Sequence, residues 1–95
     1  MADKKGTIDD IASGSTPEKA LEALGKKHDG KNPYNVVYYV EFSQGRGKNK
    51  KTIPGPEVAD PGKAYDKAYE KAGFTSIMQA LNWSVTYYAK GTFKD

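Results

Sequence analysis

The sequence predicts a two-layer α+β domain with elements in the order α-β-β-α-β. A small three-stranded sheet, antiparallel or mixed, carries the helices on one face. Three observations support that expectation. Segments at 36–42 and 83–88 alternate apolar and mixed side chains with the period of two that a half-buried strand requires. Segments at 17–24 and 61–72 space apolar residues three and four apart behind a capping residue and a proline. Glycine, proline and asparagine between them keep the connections short.

Residues 1–6 read as a flexible N-terminal tail and 7–95 as a single domain with one modest core. Thr7, Asp9 and Asp10 suit the start of a short helical turn that Gly14 ends. Thr16 then caps a helix with Pro17 at its first position, and Ala20, Leu21, Ala23 and Leu24 form its apolar face. Gly25, Lys26 and Lys27 suit its end, where the helix dipole attracts cations. A polar loop follows, in which Pro33 keeps Asn32 extended.

In the first strand Val36, Tyr38, Val40 and Phe42 point inward, and Val37, Tyr39, Glu41 and Ser43 outward. Residues 50–53 return as a short partner that Pro54 and Pro56 stop, since proline donates no ladder hydrogen bond and suits a sheet edge. Asp60 and Pro61 open the strongest helix, with Ala64, Tyr65, Ala68, Tyr69 and Ala72 on one side and Gly73 at its end. Thr75 restarts a turn through Ile77, Met78 and Leu81. In the last strand Trp83, Val85, Tyr87 and Ala89 share one face, and Ser84, Thr86 and Tyr88 the other. The expected core packs Val36, Tyr38, Val40, Phe42, Trp83, Val85 and Tyr87 against Leu21, Leu24, Ala68 and Tyr69.

Composition narrows the chemistry. With no cysteine, disulfides, thiolate catalysis and sulfur-ligated zinc are excluded. No apolar stretch is long enough to span a membrane and no signal peptide opens the chain, so a cytoplasmic protein with no membrane partner is expected. His28 is the lone histidine and reads as an exposed loop residue with no second imidazole to share a metal. Ser13 and Ser15 have only that histidine to draw on. Gly45 and Gly47 lack the third glycine of a dinucleotide loop and the lysine-serine/threonine ending of a phosphate loop. A non-enzymatic protein without cofactor or metal is therefore expected.

The net charge of +3 is mild, but its distribution is uneven. Lysines gather at Lys26, Lys27 and Lys31 and again from Lys48 to Lys51, while acids concentrate at Asp9, Asp10 and between Glu57 and Glu70. The second basic group, Arg46, Lys48, Lys50 and Lys51, sits at a hairpin tip whose glycines let a backbone approach phosphates. The competing reading is a solvated turn whose glycines serve the reversal and whose lysines guard an edge. Over residues 45–51 the chain resembles the stretch opening the second helix of double-stranded-RNA-binding domains, where paired lysines meet phosphates. Pro54 and Pro56 fall where that helix continues, and one strand precedes the motif where that family has three, so no family is assigned.

Tyr39 and Tyr88 are expected to emerge on the open face of the sheet, placed to stack on bases or simply to cover cross-strand neighbours. The leading expectation is a small non-catalytic domain that engages nucleic acid or a nucleoprotein through Arg46, Lys48, Lys50, Lys51, Tyr39 and Tyr88. The alternative is a protein-binding inhibitor or accessory factor, phage-type or host regulatory, that uses the same face or the hairpin edge.

Overall fold

The computed structural model describes residues 7–94, and the expected N-terminal tail lies outside them. Strand β1 (Thr7–Gly14) leads into helix α1 (Pro17–Lys26), then strands β2 (Tyr34–Gln44) and β3 (Lys51–Pro54) form a hairpin. Helices α2 (Ala64–Ala72) and α3 (Ile77–Leu81) follow, and strand β4 (Ser84–Lys94) ends the described chain. The four strands lie in the order β1-β4-β2-β3, every pairing is antiparallel, and the sheet curls into a half-barrel.

The order is therefore β-α-β-β-α-β with a four-stranded sheet, which corrects the expected α-β-β-α-β and three strands. Thr7 to Gly14 is not a helical turn. Its two isoleucines are three apart and its aspartates suit a helix start, so local pattern favoured helix. Tertiary pairing overrides it, because β4 runs on to Lys94 and presents a full edge from Tyr87 to Lys94 for β1 to join.

The two main helices form where their caps predict. The Thr16 hydroxyl accepts from the Lys19 amide at 3.0 Å, with Pro17 in the first turn. Asp60 caps a 3-10 turn, Pro61–Lys63, by accepting from the Gly62 amide at 2.9 Å, and α2 continues from it until Gly73 turns left-handed. Pro54 ends β3 at the sheet edge, as its missing donor requires. Beyond it Gly55 and Val58 still bond to Val40 and Tyr38 of β2.

Alternation along β2 and β4 fixes which side is covered. Val40 and Phe42 are fully buried with Ala64 and Ala68 of α2, and Ile53, Trp83, Val85 and Phe74 close around them. A second cluster joins Ala20 and Leu24 of α1 to Ala89 and Phe93, and Tyr38 and Tyr87 pack against both. The inward face of each central strand is the expected one, but Val36 and Tyr69, also expected in the core, belong to neither cluster. The last strand is longer than expected, and its continuation through Ala89, Gly91 and Phe93 supplies half of the core under α1.

Candidate functional site

Two cation-bearing or aromatic surfaces follow from the sequence expectation, and β2 connects them. The first is the hairpin tip. Gly45 and Gly47 have φ of +86° and +58°, a region that side chains disfavour, and a Cβ on Gly45 would lie 2.6 Å from the Asn49 carbonyl oxygen. Gly47–Asn49 form a 3-10 turn in which the Asn49 amide donates to the Arg46 carbonyl at 3.0 Å. The glycines thus serve the reversal itself. Around it Arg46, Lys48, Lys50 and Lys51 are all exposed, and among the described residues none pairs with a carboxylate. Lys48, Lys50 and Lys51 border a shallow open depression with Gln44, Gly45 and Asn49.

The second surface is the face of the sheet opposite the helices. Tyr39 and Tyr88 are direct cross-strand partners, and their rings stack with centroids 4.8 Å apart and planes 10° from parallel. Both are half-buried. The Tyr88 hydroxyl donates to Glu41 Oε1 at 3.2 Å. Burial raises the phenol pKa of both rings, and the Glu41 carboxylate raises it further. Nearby, Lys90 Nζ lies 2.7 Å from Glu57 Oε2, and the Thr92 hydroxyl donates to Asp9 at 2.8 Å.

The structure therefore brings Tyr39 and Tyr88 together, and separately Arg46 with Lys48, Lys50 and Lys51. It does not join the two groups. Five positions separate Tyr39 from Gln44 at the end of β2, about 17 Å at strand rise. The tyrosines spend one ring face each on the other and share their surface with Glu41, so this patch is apolar and mildly acidic while the tip is basic.

His28 is not the exposed loop residue expected. Its ring stacks on Phe93 with centroids 3.8 Å apart, and Nε2 lies 2.9 Å from Asp10 Oδ2. Asp10 is not a helix cap. Its Oδ1 accepts from the Ile11 amide at 2.8 Å and lies 3.3 Å from Lys27 Nζ, which also donates to the Ile11 carbonyl at 2.8 Å. These partners, the Ile11 amide first, then His28, then Lys27, pull the carboxyl from 3.8 down to about 2. Nothing in the sequence signals the pair, since eighteen positions separate the two residues and only the β1–β4 pairing and α1 bring them together. The cluster's geometry is structural: both backbone groups of Ile11, on an edge strand, are occupied by side chains of the same chain. Among the described residues no group of three or more His, Cys, Asp or Glu side chains is placed to hold a metal ion. No helix among them is long and apolar enough to cross a membrane.

A further surface escaped the sequence reading. Helix α3 exposes Ile77, Met78 and Leu81 and buries only Ala80. Its signal was present, an apolar five-residue helix with no second turn to build an inward stripe, but spacing alone could not assign its sides. The C-terminal end of the helix meets the foot of the hairpin, where Gln44 Nε2 at the end of β2 donates to the Asn82 carbonyl at 3.2 Å. Compared with protein families, curated proteins and solved structures, the chain matches none.

Proposed function

We propose that the protein is a non-catalytic binding domain that engages nucleic acid, alone or in a nucleoprotein, through its hairpin tip. One observation carries the reading: four exposed cations on a glycine-shaped turn with no carboxylate partner among the described residues. Such a group neutralises phosphates and releases their counterions, the main source of affinity for a polyanion. Tyr39 lies on β2, the strand that leads into the tip, and its stack with Tyr88 of β4 offers a π-surface to a base held about 17 Å from the end of that strand, a span of a few nucleotides.

The test is salt-dependent binding of a labelled oligonucleotide to the native chain and to a variant with Arg46, Lys48, Lys50 and Lys51 changed to Gln. Affinity should fall, and the log–log salt slope should flatten by roughly one unit for each phosphate contact removed. Tyr39→Ala should weaken single-strand binding while nearly keeping the slope, because stacking releases no counterions. Absence of oligonucleotide binding by the native chain at physiological salt refutes the reading.

A second reading, a protein-binding accessory factor or inhibitor, is favoured by the exposed apolar side of α3, whose end is bonded to the foot of the same hairpin.

A further inference from the structure

Helix α3 turns its smallest side chain inward and its largest outward. Ala80 is 2% exposed, whereas Ile77, Met78 and Leu81 are 59%, 70% and 73% exposed. Positions 77, 78 and 81 fall on one side of a helix, so the three form a contiguous apolar patch. The other large exposed apolar residues, Ile8 and Tyr34, pair with Phe93 and Thr92 at the opposite end of β4. The patch is thus local to one end of the molecule, and the Gln44–Asn82 hydrogen bond ties that end to the hairpin carrying Arg46, Lys48, Lys50 and Lys51.

We infer that α3 and the hairpin tip form one docking end for a protein segment that presents apolar side chains flanked by carboxylates. The inference rests on the protein-partner reading above. Charge and shape select this occupant. A phosphate backbone satisfies the cations but leaves Ile77, Met78 and Leu81 in water. A second copy of the chain would bring its own four cations against the first tip, and the whole chain is already at +3. A lipid surface also offers anionic headgroups over an apolar interior, so capture by phosphatidylserine vesicles is one of the outcomes tested. An apolar strip edged with Glu or Asp covers the patch and neutralises the tip together.

The probes are two synthetic helical peptides with the same leucine strip, one flanked by glutamates and the other by lysines. Binding is read by anisotropy, and the contact surface by amide and methyl chemical shifts. The expected result is that the glutamate peptide binds, shifting the methyls of Ile77, Met78 and Leu81 and the amides of 45–51. A Met78→Ser, Leu81→Ser variant should bind it at least tenfold more weakly with an unchanged thermal midpoint, and the lysine peptide should not bind. No binding of the glutamate peptide, equal binding of both peptides, or shifts confined to another face overturns the proposal. So does self-association in sedimentation, or capture by phosphatidylserine vesicles, that the same double variant abolishes. Oligonucleotide binding measured alongside separates the two readings: full oligonucleotide affinity in the double variant leaves the tip reading standing whatever the peptides do.

Discussion

Asp10 shows how much one side chain can do at a sheet edge. It points to the helix side of β1, opposite Gly91, and binds the Ile11 amide, His28 and Lys27 together. Because its pKa drops from 3.8 to about 2, the folded state favours the ionised form. That contribution is complete above the unfolded value and disappears as pH falls through the folded one. Acid unfolding of Asp10→Asn beside the native chain should therefore show a stability gap at pH 5 that closes by about pH 2; a gap independent of pH would refute the assignment. The tyrosines titrate in the other direction. Tyr39 and Tyr88 are raised above 10.0 by burial first and Glu41 second, so the stability from keeping them neutral is present below 10.0 and lost as pH rises through their folded values. Glu41→Gln should bring both phenols back toward the ordinary value in an absorbance titration, and unchanged curves would show that Glu41 does not act on them.

Packing between elements is decided at two close approaches. Gly55 follows β3 and meets α2 so tightly that a Cβ there would lie 2.5 Å from the Ala68 Cβ and 2.8 Å from its Cα. Gly55→Ala must push α2 away from the Val40–Phe42 cluster and should cost about 1–3 kcal/mol in chemical denaturation. A wild-type midpoint would mean that α2 shifts freely. Phe42 is fully buried, with Tyr65 and Phe74 edge-on to its ring at 5.6 and 5.1 Å. Phe42→Ala should cost about 3–5 kcal/mol, as large-to-small core changes do. Tyr39→Ala, on the open face, should cost clearly less, and a reversed order would put the covered face on the wrong side of β2.

Across the whole molecule, charge and core are separable. Changing Arg46, Lys48, Lys50 and Lys51 to Gln takes the net charge from +3 to −1 (3 − 4) without touching either buried cluster. Folding stability should move by no more than about 0.5 kcal/mol, since exposed positions tolerate substitution. A larger loss in thermal or chemical unfolding would mean that the tip cations hold the fold rather than a partner. The β1 edge and the hairpin tip also differ in kind. The β1 edge is closed at Ile11 by Asp10 and Lys27, while the tip and α3, which precedes the start of β4, leave cations and apolar side chains open.

Properties read from neighbours in the chain were legible in the sequence. The alternation of Val40 and Phe42 with Tyr39 and Glu41, the caps at Thr16 and Asp60, and the edge position implied by Pro54 all follow from dihedrals, periodicity and missing donors. The candidate tip was legible for the same reason, because its glycines and cations are contiguous. The fourth strand, the His28–Asp10 pair and the exposed side of α3 were not. Each depends on what lies across space: β4 turned Thr7 to Gly14 into a strand against its local helical pattern, and α1 carried His28 onto Phe93. Which side of a five-residue helix is covered is decided only by its neighbours, and here they covered only Ala80.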